Sequence, residues 1–296
     1  MKCKGKGYFS FAFWKGMTKL MSDITILSDS DISEKNKIAF LTDYAISNGA
    51  SVYEKKEKQK IGRYWTSTCN PETMNAVFIG SDGLSYPNED KKLVNYGYGI
   101  GLRLGFDVNS DTFDEIESKL GRKINDGDEF EFFGEIENIV SDELSSELDS
   151  MCDKSKLDYF CTRNKGVLKY FVSEDVPLYA YKNNVYARVT PNYLGNKYKD
   201  KDHVWMNVKK IKWIRDKDKV ISKNIITGGI DFHNWYYSGR FNETSVYHYI
   251  NNNLSKEIEE LGNILDLIKN KSRKEKVISI DRYDELKKDK DVRVRK

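Results

Sequence analysis

Proline is scarce in this chain. Four prolines among 296 residues exclude a Pro-rich linker, and no apolar run reaches the ~20 residues that a membrane-spanning helix needs. Cysteine is scarce too: Cys3, Cys69, Cys152 and Cys161 form neither a CxxC pair nor a metal-site spacing. The expectation is scattered free thiols in a reducing compartment, with a Cys152–Cys161 bridge only under oxidising conditions. The three histidines, His203, His233 and His248, show no HxH or HExxH spacing, so zinc binding and His-based catalysis have no motif to rest on. Charge of one sign is also missing. Lys+Arg is 49 against 46 for Asp+Glu, which gives a net charge of +3 and no general affinity for polyanions. A nucleic-acid role would need a local basic patch.

What the chain does have is aromatic material, with 19 tyrosines and 14 phenylalanines to furnish strands. RYWTST and AVFIG read as strands separated by a Pro-marked turn, and Asp82-Gly83 reads as the turn that follows. NYGYGIGLRLGFDV alternates glycine with large residues, a sign of close backbone approach. Further strands are expected at EFEFFGEIENIV, VLKYFVS, PLYAYKNNVYARVT (turning at Asn183-Asn184) and HVWMNVKKIKWIRDKDKVISKNII (turning at Asp216–Lys219). Helices are expected over KNKIAFLTDYAISNGA (Ile38, Leu41, Tyr44 and Ala45 in phase, Gly49 ending it), after Ser141, and from about Thr244. The charge run Glu54–Lys60 reads as a solvated loop.

Five segments follow. Residues 1–21 form a leader whose apolar cluster Tyr8–Trp14 is too short for a secretion signal. Residues 22–108 and 129–252 are two strand-rich segments, and the polar, acidic stretch 109–128, with a short helical patch at Phe113, Ile116 and Leu120, reads as the linker between them. Residues 253–296 form a helix with one apolar face (Ile258, Leu261, Leu265 and Ile268) and a basic tail.

Two blocks carry a resemblance. TDYAISNGA, YWTST, AVFIGSDG and GYGIGLRLGF together resemble the closing half of a C-type-lectin-like domain, of the formylglycine-generating-enzyme-like fold type, found in proteins of gut bacteria and their phages. Trp65, Asp82-Gly83 and Gly101-Leu102-Arg103 take the places of its tryptophan strand, its turn and its last strand, with Leu104 standing where proline is usual. EFFGEIENIVSDELSSELD, VKKIKWIRDKDKVISKNIITGGIDFHN and FNETSVYHYIN are similar to the opening half of the same domain. Phe133-Gly134-Glu135, Ile211-Lys212-Trp213, Val220-Ile221-Ser222 and Thr244-Ser245 carry that match. The closing half thus precedes the opening half. The resemblance implies an α+β fold: one permuted C-type-lectin-like domain assembled from both segments, or two reduced copies, with completion within one chain or by swapping between two. It makes Trp65, Trp213, Asp82 and Gly83 structural, and it suggests a phage-related, cytoplasmic or virion-associated setting.

Calcium-dependent sugar binding in this fold type uses a Glu/Gln-Pro-Asn/Asp tripeptide and a Trp-Asn-Asp strand. Here Tyr86-Pro87-Asn88 lacks the first acid, and Trp-Asn-Asp is absent. Asp107-Val-Asn109-Ser-Asp111 imitates the start of an EF-hand loop but has Thr112 at the glycine position and Ser118 at the twelfth, so no metal or other cofactor is expected. Cys69 lacks the partner thiol that formylglycine-generating chemistry requires. What remains is IDFHNWYYSGRFN. Phe232, His233, Trp235, Tyr236, Tyr237 and Arg240 form a candidate ligand-binding loop, unless these rings face the core. Tyr86, Tyr96 and Tyr98 could extend it. The expected function is non-catalytic recognition of a protein or glycan. The alternative is an intracellular interaction factor that binds a cytoplasmic protein or nucleic acid through Lys269–Lys276 and Lys287–Lys296.

Overall fold

A computed structural model describes residues 23–56, 59–70, 75–87, 99–153, 158–167, 172–233 and 240–272. It is a mixed α+β arrangement with three sheets. The first sheet contains β1 (Phe40–Leu41), β2 (Glu54–Lys56), β3 (Gln59–Ile61) and β15 (Asn224–Ile225), in the order β15-β1-β3-β2. The second, in the order β16-β7-β4-β5-β6, is built from β4 (Arg63–Asn70), β5 (Asn75–Ile79), β6 (Ser85–Pro87), β7 (Ile100–Leu102) and β16 (Thr227–Gly228). The third and largest runs β10 (Asp158–Val167), β11 (Val172–Tyr181), β12 (Asn184–Val189), β13 (Val204–Asp216), β14 (Lys219–Ser222) and β8 (Gly105–Asp107), with β9 (Glu129–Ile139) also paired to β13.

Each sheet contains strands from both sides of the acidic stretch. Phe40 pairs with Asn224, Leu102 with Thr227, and Phe106 with Val220. The two segments are therefore interleaved by hydrogen bonding. The 109–128 stretch is not a linker. Its residues Asp111–Leu120 form an amphipathic helix, α2, capped by Ser110 and ended by Gly121 at φ 65°, and it buries Phe113 and Ile116. Acidic residues give the segment its linker-like composition, but Asp111 and Asp114 are exposed, Glu117 is buried and accepts from the Ile124 N–H at 2.8 Å, and Phe113 and Ile116 join the main core.

Other expectations shift locally. The charge run from Glu54 is a hairpin, β2 and β3, because its alternate residue Ile61 is buried and anchors it. The first helix, α1 (Asp43–Ser47), starts only after its cap Thr42, since Phe40 and Leu41 are drawn into a sheet. The turn between β11 and β12 centres on Lys182 and Asn183, both at positive φ, one residue earlier than expected.

Helix α3 (Asp142–Asp153) buries Leu148 against Tyr186 of β12 and Trp205 of β13 on the third sheet. The chain then passes through α4 (Ser245–Tyr249) and a π-helical stretch, Ile250–Leu254, into α5 (Ser255–Ser272). Helix α5 docks against β9 backbone to backbone. A Cβ on Gly262 would lie 2.9 Å from Phe133 Cα, and one on Gly134 would lie 2.7 Å from Gly262 N. Ile258 and Leu261 are buried in that contact, so the C-terminal helix is a core element up to the end of the described residues. The tail beyond residue 272 and the leader before residue 23 lie outside them.

Candidate functional site

The proposed ligand loop begins directly after β16. Phe232 is fully buried, its ring 5.1 Å from Trp65 and 6.3 Å from Phe241, and Trp65 Nε1 donates to the Ile230 carbonyl at 3.3 Å. Phe232 is thus core and cannot touch a ligand from the surface, which corrects its place among the expected binding residues. The reason is the strand geometry: Trp65 needs a partner ring on the inward face of its sheet, and the chain leaving β16 supplies it. His233 is half-buried. Arg240 projects into solvent with its side chain 75% exposed, 3.6 Å from Glu243 in an ion pair of little energetic weight. Trp235, Tyr236 and Tyr237 lie outside the described residues, as do Tyr96 and Tyr98.

Phe241, the next residue, lines an open cleft of about 330 Å³. That volume matches small-ligand sites. Ile26, Leu27 and Phe106 give the cleft an apolar lining, and Asp23, Asp31 and Asp107 surround it with one ammonium, Lys219. Lys219 Nζ lies 2.7 Å from Asp107, and the pair holds the Asp107 carboxyl below its ordinary range and the Lys219 ammonium above its own. Thr112 Oγ1 donates to Asp23 at 3.1 Å, and the backbone N–H of Ser28 donates to Asp31 at 3.3 Å. The carboxylates are thereby oriented by the fold and present acceptors to a ligand that brings N–H or O–H donors. Asp107 to Asp111, the EF-hand imitation, is instead a helix entry. Asn109 N–H donates to Asp107 at 2.8 Å and Ser110 caps α2. Among the described residues, no group of three or more His, Cys, Asp or Glu side chains converges to hold a metal ion.

The structural residues sit where a scaffold needs them. Trp65 and Trp213 are fully buried, and Trp213 Nε1 donates to Phe132 O at 3.1 Å. Asp82 and Gly83 form the turn after β5, with Gly83 at φ 82°. Arg103 is buried and donates to Ser222 O at 2.7 Å, to Tyr64 Oη at 3.1 Å and to Asn36 O. Leu104 uses its backbone N–H to bond Ser222 Oγ at 3.1 Å, a bond that proline cannot make.

One polar cluster has no motif in the sequence to announce it. His203 Nε2 is 2.9 Å from Asp149 Oδ1, and its Nδ1 is 2.9 Å from Arg188 Nη2. Trp205 Nε1 also donates to that Asp149 oxygen at 2.7 Å. Arginine only donates, so Nδ1 accepts and Nε2 carries the hydrogen. Burial raises the Asp149 carboxyl, but the bonds from His203 and Trp205 outweigh it and hold it low. Both ring nitrogens are engaged, which makes the cluster a fastening between α3 and the sheet. Cys69 donates to its own strand, to Ser67 O at 3.4 Å.

No family model, no curated protein and no solved structure matches this chain.

Proposed function

We propose that the chain is a non-catalytic recognition module that binds a protein or glycan at the cleft beside Phe241. The observation that carries this reading is the cleft itself: ligand-sized, apolar inside, and rimmed by carboxylates already fixed by the protein. Oriented acceptors over an apolar floor suit reversible capture of a donor-bearing ligand, because little ordering is left to do on binding. Phe241, which lies in the sequence directly after the expected binding residues, lines this cleft.

We further infer that the fold is a permuted C-type-lectin-like domain. The pairing of strands from both segments in all three sheets supports one domain over two reduced copies. The phage-related setting rests on the sequence resemblance. Among the described residues no helix is long and apolar enough to cross a membrane.

Capture of partners from a bacterial envelope extract, compared between the intact protein and a Phe241→Ala/Asp23→Asn/Asp31→Asn variant, tests the reading. Loss of the captured species in the variant, with cooperative thermal unfolding retained at a lower midpoint, is the expected result. Equal capture by both proteins would remove the cleft from the binding function.

A further inference from the structure

The sheet face that buries Trp65 continues outward to solvent. Trp65 lies opposite Phe78, and Phe78 opposite Tyr86, in neighbouring strands, so their rings share one face. Exposure rises along that row from 0% at Trp65 through 9% at Phe78 to 38% at Tyr86, on the edge strand β6. Arg63, two positions from Trp65, falls on the same face by strand alternation. Its guanidinium carbon lies 3.6 Å above the Tyr53 ring and 5.6 Å from that of Phe78. Tyr53 is itself 40% exposed. The Nε of Arg63 is buried and has no hydrogen-bond partner among the described residues.

The rings are held, not loose. Phe78 stacks on Tyr86 at 5.6 Å with 23° between planes, and the Tyr86 hydroxyl donates to Asp82. The Leu84 N–H donates to the other Asp82 oxygen at 3.1 Å. A Cβ on Gly80 would come within 2.7 Å of the Tyr86 ring, so the turn is cut away to let the tyrosine fold over it.

We propose that Tyr53, Arg63, Asp82 and Tyr86 form a carbohydrate-binding subsite that takes a neutral hexopyranose ring. None of the four residues lines the Phe241 cleft, so this is a second surface that goes beyond the recognition reading above. A pyranose offers an apolar C–H face that packs on an aromatic ring, and peripheral hydroxyls that both donate and accept. Arg63 can only donate, and the Asp82 carboxylate can only accept. A neutral polyol satisfies both, whereas an anion is opposed by Asp82 and a cation by Arg63. Phosphate-bearing ligands are disfavoured on the same ground. Rigid tyrosines lose little entropy on contact, which suits a shallow platform.

The test is binding of the intact protein to an array of neutral and acidic glycans, followed by titration with the best-bound neutral methyl glycoside. The variants are Tyr53→Ala/Tyr86→Ala, Arg63→Leu and Phe241→Ala. The expected result is selective binding of neutral glycans, weakened about tenfold or more by the first two variants. Tyr53→Phe, which keeps the ring, should retain binding. Binding lost only in Phe241→Ala would overturn this subsite and leave the recognition reading standing. No neutral glycan bound, or acidic glycans alone, would also overturn it, and protein capture at the cleft would then remain as the separate test of that reading.

Discussion

Phe232 and Arg240 belong to one aromatic-rich segment whose composition suggests a single role, yet the structure places them in opposite environments. Phe232 is sealed between Trp65 and Phe241, while Arg240 points into solvent. Phe232→Ala is expected to lower the unfolding free energy by about 3–5 kcal/mol, the usual cost of emptying a buried aromatic position. Arg240→Ala is expected to change it by less than about 0.5 kcal/mol. Urea denaturation of both variants reads the difference, and similar costs would contradict the burial of Phe232. Sequence could not separate the two because a segment without a helical or strand period gives no phase by which to assign inside and outside. Trp65 differs: a strand flanked by alternating residues fixes its face once one neighbour is known. The Arg63 stack was illegible for another reason, since Tyr53, Arg63 and Tyr86 come from three different strands or loops and meet only in space.

At the scale of elements, legibility follows local chemistry. Strands β4, β5 and β9 are legible from their β-forming residues and bounding turns, and the helices after Ser141 and Thr244 from their capping residues. The β2–β3 hairpin is hidden because lysines and glutamates dominate it, whereas α2 shows in the sequence as the helical patch Phe113, Ile116 and Leu120, within a stretch whose acidic composition suggests a boundary. Docking of α5 on β9 has a further consequence. Glu135 of β9 is buried, with one oxygen lacking a hydrogen-bond partner among the described residues and the other 3.4 Å from Asn224 Nδ2. It lines a cavity of about 10 Å³ under α5, together with Tyr44, Tyr249 and Glu257. Burial, reinforced by the charge of Glu137, pushes its carboxyl up to about 8, against the weaker pull of Lys209 and Lys212. Glu259 of α5 is raised to about 7, again by burial, with Glu115 adding and Lys119 opposing. A carboxyl raised on folding binds its proton more tightly in the native state, so stability falls as pH rises from the unfolded value near 4.5 to the folded one. Between pH 7 and 8 both carboxyls lose protons, Glu259 mainly in the lower part of the window and Glu135 through all of it, and each contributes at most about 1.4 kcal/mol per pH unit to the slope. Glu135→Gln should therefore flatten the decline in stability across that window and be more stable than wild type at pH 8.5. Parallel pH profiles of the two proteins would disprove it.

For the molecule as a whole, the decisive feature is that the acidic stretch divides the sequence but not the structure. The composition of residues 109–128 suggests a boundary between two segments. Only the pairing shows that neither segment has a sheet of its own to itself. The largest cluster draws Trp65 and Phe78 from the first segment, Phe113 and Ile116 from α2, Trp213 and Phe232 from the second, and Ile258 from the C-terminal helix. Separate expression of residues 1–128 and 129–296 should consequently give two chains that each leave large apolar faces exposed and fail to unfold cooperatively. Expressed together they should co-purify as a complex, with near-ultraviolet circular dichroism approaching that of the intact protein, because Trp65 and Trp213 regain their buried surroundings. Independent cooperative unfolding of either fragment would instead establish two reduced domains, and the strand pairings between the segments would then be a docking of finished units. The intact chain has a kinetic reason to succeed where fragments struggle: tethering keeps the partner strands at high effective concentration while the shared core assembles.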